Sequence, residues 1–257
     1  MEKNFFEWVM FFFQSNWQQF LLGTATTLLV SLSGTIIGFF LGLGVSLIQY
    51  TKTDDKSSTL FKGFIKFLKI LISIYITIFR GTPMIVQAMV IFYGLPQLIG
   101  LNLDPLPAAL LIVSINTGAY MAEMIRGGVD SVDPGQLEGA QAIGMSHFQA
   151  MISIIFPQAV RNVLPSIGNE FIINIKDTSV LNVIGVTELF FTSKSIAGSY
   201  AKYYEVFIIT SAIYLFLTFT ISIILKSIEK KIDGPKNFEI LPLQDGNNVV
   251  IKKGEGV

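Results

Sequence analysis

The sequence contains no cysteine and a single histidine, and charged residues make up only 14% of its 257 positions. Soluble domains carry about 25% charged residues. A charged fraction this low is therefore not typical of a soluble globular enzyme. Without cysteine, a disulfide framework and a cysteine-ligated zinc site are excluded. The 18 basic and 18 acidic residues leave no net charge, which argues against a nucleic-acid-binding protein.

Long apolar runs take the place of charge. About 20 apolar residues in a helix cross the roughly 30 Å hydrocarbon core of a bilayer. The first run contains no charged side chain, and it is longer than the apolar part of a signal peptide. The sequence therefore predicts an all-α, polytopic membrane protein with five transmembrane helices. Their predicted positions are residues 20–49, 82–99, 106–125, 167–191 and 204–225.

Residues 60–79 combine apolar side chains with three lysines. Lys62, Lys66 and Lys69 are spaced i, i+4 and i+7, so a helix places them on one face. This pattern indicates a helix that lies at the membrane surface and rises into the bilayer. A full span whose lysines reach back to the headgroups is the alternative.

The distribution of basic residues predicts the orientation, because lysine and arginine are retained on the cytoplasmic side. Fourteen of the 18 lie on one side of the predicted spans, most of them in segments 52–80 and 226–253. Five spans then place the N-terminus outside and the C-terminus in the cytoplasm. Three parts are predicted: an external interfacial segment rich in aromatic residues (1–19), a transmembrane domain (20–231) and a loosely structured cytoplasmic tail (232–257).

The segment between the third and fourth spans, residues 130–165, carries helix-capping signals. Asp133, followed by a proline, is typical of a helix start, and Gly144 of a helix end. Ser146 begins a second helix, which Pro157 is predicted to end. The segment is thus predicted to form two short cytoplasmic helices joined by a glycine elbow. Capping alone leaves open whether they simply pack beneath the bundle.

The spacing of this segment resembles the EAA loop of ABC importer permeases, whose pattern is EAA, x3, G, x9, I-x-L-P. Here Glu138, Gly139 and Ala140 are followed by Gly144 and, after nine residues, by Ile-Ile-Phe-Pro. Glycine replaces the family's first alanine and Phe156 its leucine. Other motifs resemble the polar amino-acid branch of these permeases: FRGTP at 79–83, AYMAEMIRGG at 119–128, IKDTS at 175–179 and VIGV at 183–186.

The resemblance covers residues 23–231 and implies the permease subunit of a type I ABC importer, which translocates a polar amino acid of the arginine, glutamine, histidine or glutamate type. It implies three protein partners: an ABC ATPase dimer, a second copy or a homologous permease, and an extracytoplasmic substrate-binding protein. It also implies that the chain lies in the lipid bilayer of a prokaryotic cytoplasmic membrane. The sequence has no G-x-x-x-x-G-K-[ST] phosphate loop. ATP and Mg are therefore expected on the partner ATPase, and this chain is expected to be no enzyme and to hold no cofactor or metal.

In this family the EAA loop acts as a coupling helix that enters a cleft on the ATPase. A short capped helix that continues into the fourth span can transmit a rigid-body shift. Glu138 is expected to pair with a basic ATPase residue, with a solvated charge as the alternative. The expected coupling residues are Glu138, Gly139, Ala140, Gly144, His147 and Phe148.

Charged side chains within the spans mark the candidate substrate pathway, because each costs about 2.5–3.5 kcal/mol at the centre of a span. Lys176 and Asp177 could meet the carboxylate and ammonium of an amino acid, or pair with another helix. Glu123 would favour a cationic substrate if it contacts one, but pairing with Arg80 or Arg126 would leave that charge open. The predicted pathway set is Lys176, Asp177, Thr178, Ser179, Glu123, Asn116, Tyr120, Gln87 and Arg80.

Two structural expectations complete the sequence prediction. Arg80, close to a glycine and a proline, is expected at a kinked helix start near the cytoplasmic boundary. Gly38, Gly42 and Gly44 are expected to allow close helix contact.

Two other classes of protein are weaker alternatives. A secondary carrier could use the charges of the spans as an ion relay, but the sequence shows no internal symmetry between halves. An enzyme would need a nucleophile and base or a metal cluster, and the predicted spans contain neither.

Overall fold

The computed structural model describes residues 4–51, 58–233, 238–240 and 251–253. Within these ranges a π-helical turn, Met151–Ile155, precedes α7, and a 3-10 segment, Thr178–Ile184, follows it. Two tail strands, β1 (Phe238–Ile240) and β2 (Ile251–Lys253), pair antiparallel. The helices are α1 (Phe5–Tyr50), α2 (Thr59–Gly81), α3 (Met84–Ile99), α4 (Pro105–Asp130), α5 (Pro134–Ala142), α6 (His147–Ala150), α7 (Phe156–Asp177), α8 (Leu189–Tyr200) and α9 (Tyr203–Asp233).

The predicted all-α membrane fold is confirmed. Four helical stretches of the described chain are long and apolar enough to cross a membrane, and Met84–Ile99 is a shorter apolar helix. The long stretches are Phe5–Tyr50, Pro105–Asp130, His147–Ile184 and Tyr203–Lys231. The stretch His147–Ile184, which contains the predicted span 167–191, ends before residue 191, because Gly185 adopts a left-handed φ of 84° that stops the helix.

Helices α1 and α4 form the closest helix contact of the bundle and run parallel. Gly34, Gly38 and Gly42 recur every four residues on α1 and face Val113, Thr117 and Met121 on α4. A Cβ added at Gly42 would lie 2.5 Å from Met121 Cβ and 2.7 Å from a backbone nitrogen. The expectation for Gly38 and Gly42 is met, but Gly44 has nothing within 4 Å and takes no part in this contact.

The remaining long helices alternate in direction. Lys69 on α2 donates to the Thr51 carbonyl beyond the end of α1, and Tyr75 donates to Ile115 O on α4, so α2 runs opposite to α1. Helix α7 also runs opposite to α4. Helix α9 packs against α7 and runs opposite to it, with Leu225 against Gly168. We call the end of the bundle where α1 and α4 finish and α5 begins the α5 end, and the opposite one the α8 end.

Helices α1, α4 and α7 meet around a buried polar side chain. Asn174 Nδ2 donates to Thr35 Oγ1 at 2.9 Å and to Thr117 Oγ1 at 3.0 Å. Interhelical hydrogen bonds of this kind contribute about 0.6 kcal/mol each within membranes. Asn174 therefore holds α7 in register with the α1–α4 pair at modest gain in stability.

At the α8 end, the start of α1 packs against α8 instead of standing apart. Phe12 is fully buried, with its ring 5.4 Å from that of Trp8 and 5.2 Å from that of Tyr200. Lys202 Nζ lies 5.3 Å from the centre of the Trp8 ring. Residues 5–19 continue into the first span without a break in the helix, so the predicted interfacial segment is the first part of α1.

Candidate functional site

The segment between α4 and α7 contains both predicted short helices. Asp133 Oδ1 accepts from Gly135 N at 2.7 Å at the start of α5, and Gly144 adopts a φ of 89° at the elbow. Ser146 and Gln149 form a reciprocal capping box at the start of α6. Local capping chemistry thus defines where these two helices begin and where they meet.

The prediction that Pro157 ends the second helix is wrong. Pro157 lies in the first turn of α7, where the backbone N–H that proline lacks would have no partner within the helix. The helix therefore continues through it. The preceding π-helical turn shifts the register, because its hydrogen bonds reach one residue further than those of an α-helix. As a result Ile155 is buried, whereas Phe148 and Ile152 stay exposed on the other side.

The outer surface of this segment is apolar at the elbow. Ile143 and Phe148 flank Gly144 and are 79% and 62% exposed. Glu138 and Gly139 are also exposed on α5, whereas Ala140 is buried against the bundle. We call the exposed residues Glu138, Gly139, Ile143, Gly144 and Phe148 the elbow surface.

His147, predicted to be a coupling residue, joins this segment to the end of α1. Its Nε2 lies 3.1 Å from the Tyr50 carbonyl oxygen, which can only accept. Tyr50 OH in turn donates to Asp130 Oδ1 at 2.8 Å, at the end of α4. The start of α6 is therefore fixed to the ends of two membrane helices.

Gln87 and Asn116, both predicted pathway residues, close the break between α2 and α3. Pro83 is the N-cap of α3 and has no backbone N–H to donate, so carbonyls at the end of α2 need other donors. Gln87 Nε2 donates to the Phe79 and Thr82 carbonyls, each at 2.9 Å, and Asn116 Nδ2 donates to Gln87 Oε1 at 2.8 Å. Both side chains are buried.

The same contact gives the depth of the break. Asn116 lies near the middle of α4, and its Nδ2 is 3.4 Å from the Phe79 carbonyl. The α2–α3 break is therefore half-way along the bundle. The expectation that Arg80 marks the boundary at one end is wrong, because α2 continues for about three turns beyond Lys69 before it ends at Gly81.

Glu123 lies between two arginines. Its carboxylate is 3.2 Å from Arg80 Nη1 on α2 and 3.1 Å from Arg126 Nη2 on α4. The Arg80 guanidinium lies 5.7 Å from the centre of the Tyr120 ring, and Arg126 also pairs with Asp130 at 3.0 Å. Of the two alternatives raised by the sequence, the structure shows pairing with arginines, so Glu123 carries no information on substrate charge.

Lys176, Asp177, Thr178 and Ser179 lie together where α7 passes into the 3-10 segment. Lys176 and Asp177 are exposed, and among the described residues neither takes part in an ion pair within 4.0 Å. Thr178 is buried and donates to Ile175 O at 2.9 Å. The two charges thus project from the last turn of α7, unlike the Arg80–Glu123 pair.

Glu170 is a candidate site residue that the sequence analysis did not include. It is buried, with 5% of its surface exposed, and within the described ranges no side chain hydrogen-bonds or ion-pairs with it. Seven residues separate it from Asp177, so the two carboxylates share one face of α7. The sequence signal that could have identified Glu170 is a single acidic residue inside an apolar stretch.

Glu188 was also missed, and its role is structural. It is fully buried at the start of α8, where its carboxylate accepts from Phe190 N at 2.9 Å and Phe191 N at 2.6 Å. Tyr214 OH on α9 donates to it at 3.1 Å. Glutamate is not among the preferred capping residues, so the pattern of capping gives no hint of it.

A bundle of helices long and apolar enough to cross a membrane, with an exposed two-helix segment at one end, is the architecture of a multi-pass membrane protein. The family described as "Binding-protein-dependent transport system inner membrane component" matches residues 60–234. The arginine transport system permease protein ArtQ of Bacillus subtilis (strain 168) is 35% identical over 210 residues, which cover 82% of this chain and 90% of that protein. The putative glutamine transport system permease protein GlnP of Rickettsia bellii (strain RML369-C) is 34% identical over 82% of this chain and 91% of its own length.

Among solved structures, one described as an amino acid ABC transporter with histidines matches with a TM-score of 0.76 and 35% identity. The match covers 90% of this chain and 100% of that one. The chain belongs to the family of inner membrane components of binding-protein-dependent transport systems. It is a multi-pass transport subunit and not an enzyme, and the family has no cofactor of its own. The secondary-carrier and enzyme alternatives are thereby set aside.

Proposed function

We propose that this chain is the permease subunit of an ATP-driven importer of polar amino acids, coupled through the elbow surface to a separate ATPase. The observation that carries the coupling proposal is the exposure of Ile143 and Phe148 on either side of the elbow at Gly144. Buried apolar side chains at the centre of an interface provide most of its binding energy. Glu138, at the edge of the same surface, is placed to pair with a basic residue of the ATPase.

Helix α7 supports transmission of movement from the ATPase. The helical stretch His147–Ile184 runs from the elbow to the 3-10 segment, so a displacement of α6 moves the candidate pathway residues at its far end. The contact of His147 with the Tyr50 carbonyl adds a second connection, to α1. We infer a rigid-body coupling in which α5 and α6 move with α7 as one unit.

Glu170, Lys176 and Asp177 are proposed to contact the substrate. Among these three residues, two carboxylates and one ammonium leave a net negative charge in the second half of α7, which favours an amino acid with a cationic side chain. Lys176 is placed to meet the substrate carboxylate, since an ammonium–carboxylate contact is a strong charge-assisted hydrogen bond. The similarity to an arginine transport permease supports this substrate class.

The α5 end is proposed to face the cytoplasm. It holds Arg126, Arg161 and the three lysines of α2, whereas the described basic residues at the α8 end are Lys194 and Lys202. Basic residues are retained on the cytoplasmic side, and α1 and α9 begin at the opposite end. The ATPase dimer, with its ATP and Mg, then binds at the elbow surface on the cytoplasmic side. The substrate-binding protein binds at the α8 end. A second permease, identical or homologous, completes the assembly.

Because the sequence has no cysteine, single introduced thiols can test this orientation. Ser199→Cys on α8 is expected to react with a membrane-impermeant maleimide in intact cells, since position 199 is exposed. Ser131→Cys, exposed at the end of α4, is expected to react only after permeabilisation. The reverse pattern of labelling would overturn the proposed orientation.

Truncation of the elbow anchors is expected to release the ATPase. In Ile143→Ala with Phe148→Ala, the interface loses two exposed apolar side chains, and central anchors of this kind contribute about 1–4 kcal/mol each. We expect at least a tenfold loss of ATPase that co-purifies with the tagged permease, measured by quantitative mass spectrometry.

The matched control is Leu60→Ala with Phe64→Ala, because these α2 side chains are 85% and 56% exposed at the same end of the bundle. The control is expected to retain the ATPase. Equal retention of the ATPase by both double variants would refute docking through the elbow surface.

A further inference from the structure

A row of polar side chains follows one face of α4 from the α2–α3 break to the α5 end. Asn116, Tyr120, Glu123 and Asp130 are spaced i, i+4, i+7 and i+14, so the helix places them in one stripe. Fourteen residues of α-helix extend for about 21 Å. The stripe therefore runs from the middle of the bundle to the residues next to the elbow segment.

The charged groups along this stripe alternate in sign. Arg80 Nη1 lies 3.2 Å from Glu123 Oε2, and Arg126 Nη2 lies 3.1 Å from the same oxygen. Arg126 Nη1 is in turn 3.0 Å from Asp130 Oδ2. The Arg80 pair joins α2 to α4, whereas the two Arg126 pairs lie within α4. Glu123 and Arg126 are thus each shared between two groups of opposite charge.

At the α5 end, Tyr50 connects this row to the elbow segment. Tyr50 OH donates to Asp130 Oδ1 at 2.8 Å, and the Tyr50 carbonyl oxygen lies 3.1 Å from His147 Nε2 on α6. Asp130 therefore contacts Tyr50 with one carboxylate oxygen and Arg126 with the other. A displacement of α6 that moves Tyr50 is expected to change how Arg126 divides its contacts between Asp130 and Glu123.

At the other end, Arg80 lies beside the α2–α3 break, one residue before α2 ends at Gly81. Its ion pair with Glu123 and its position over the Tyr120 ring both hold the end of α2 against α4. The Arg80 side chain is 42% exposed at this depth. Because a charge is costly in hydrocarbon, this side of the break is expected to face water or a second permease and not lipid.

Glu123 is able to release Arg80 because it has a second partner on its own helix. Removal of one partner from a largely buried ion pair is destabilising when it leaves an uncompensated charge. Arg126 donates to both carboxylate oxygens of Glu123, at 3.1–3.3 Å, so the carboxylate stays paired if Arg80 moves away. The released Arg80, already half-exposed, stays hydrated.

We propose that the Arg80–Glu123 ion pair is a latch that holds the end of α2 against α4 and opens during transport, when Glu123 keeps Arg126 as its partner. The proposal rests on the proposed coupling through the elbow surface. It adds a second route to the membrane domain, through Tyr50 and Asp130 to α4, beside the route through α7. The two arginines and Glu123 are positioning residues, because they determine when α2 can separate from α4.

Neutral variants of the two arginines are expected to have opposite effects, although both contact the same carboxylate. Arg80→Gln lacks the latch, so we expect ATP hydrolysis without substrate to rise about 2- to 30-fold. In Arg126→Gln, Glu123 has Arg80 as its remaining partner, so we expect substrate-stimulated hydrolysis and uptake to fall by a similar factor. Both activities are measured with the complete importer in proteoliposomes, with and without loaded binding protein.

Two further variants separate a latch from a static structural contact. Arg80→Lys keeps the cation and is expected to retain low hydrolysis without substrate. Adding Glu123→Gln to Arg126→Gln removes the carboxylate that retains Arg80, so stimulated hydrolysis is expected to recover. If both arginine variants lost the same activities and Glu123→Gln restored nothing, the contact would be structural and the latch would be refuted.

Reversible cross-linking tests directly whether the contact has to open. Because the sequence has no cysteine, Arg80→Cys with Glu123→Cys can be bridged by bis-methanethiosulfonate reagents of graded length. We expect the bridged protein to lose uptake relative to its own unbridged form and to regain it after reduction. The matched control is Lys202→Cys with Glu205→Cys, an ion pair at the α8 end, which is expected to keep its uptake when bridged.

Uptake that bridging leaves unchanged would overturn the latch, and so would the absence of bridging at every reagent length. The proposed function fails in a different way, if the unmodified chain purifies without an ATPase or its complex shows no substrate-stimulated hydrolysis. The latch fails alone if the unmodified complex is stimulated by substrate while bridging at positions 80 and 123 has no effect on uptake.

Discussion

Gly42→Leu is expected to prevent the membrane bundle from forming. A Cβ at this position already lies 2.7 Å from the Ala122 nitrogen and 2.9 Å from the Met121 carbonyl carbon, and backbone atoms cannot move aside as a side-chain end can. Overpacking by even a small group costs about 1–3 kcal/mol, and a leucine adds three more carbon atoms. Total stabilities are only about 5–15 kcal/mol, so we expect little folded protein.

The measurement is the fraction of detergent-extracted protein that elutes as a single species, together with its melting temperature. Gly44→Leu is the matched control, because it lies two residues away on α1 and a Cβ there meets nothing within 4 Å. Gly42→Ala is expected to lower the melting temperature while still folding. If Gly42→Leu and Gly44→Leu gave the same folded fraction and melting temperature, the proposed role of Gly42 in a close α1–α4 contact would be contradicted.

Glu170→Gln is expected to reduce uptake of a cationic amino acid at least tenfold. The substitution keeps the size and removes the charge of a buried carboxylate that has no partner among the described residues. Hydrogen bonds to a charged group contribute about 1.5–3 kcal/mol, which corresponds to roughly 10- to 150-fold in affinity. The measurement compares initial rates of labelled arginine and glutamine uptake in proteoliposomes with the complete importer.

Glutamine uptake by the Glu170 variant is expected to change much less, because an amide side chain gains little from a carboxylate charge. Glu205→Gln serves as control, since this carboxylate pairs with Lys202 at the α8 end, away from α7. An equal fall for both amino acids, with the ATPase still bound, would indicate a structural role for Glu170. Unchanged arginine uptake would remove Glu170 from the pathway.

The features that the sequence predicted correctly depend on local chemistry. The spans follow from runs of apolar residues, and the two short helices follow from capping at Asp133 and Ser146 and from the left-handed Gly144. None of these requires knowledge of a neighbouring helix. The family motif added the expected role of the segment, which local capping could not supply.

The features that were missed depend on contacts between helices. Gly44 was grouped with Gly38 and Gly42, yet the face toward α4 repeats every four residues and includes Gly34 instead. The depth of Arg80 follows from where α2 meets α4, which no property of the segment 79–83 reveals. Asn174 looked unremarkable in the sequence because its partners, Thr35 and Thr117, are 139 and 57 residues away.

The continuous helix α1 has a kinetic consequence at the α8 end. Its 46 residues extend for about 69 Å, whereas a bilayer with its headgroups is about 40–45 Å thick. The excess length is held against α8 by the rings of Trp8, Phe12 and Tyr200. On the proposed orientation, an incoming substrate-binding protein meets a preformed helical surface, so encounter requires little ordering of loops and association is limited mainly by diffusion and orientation.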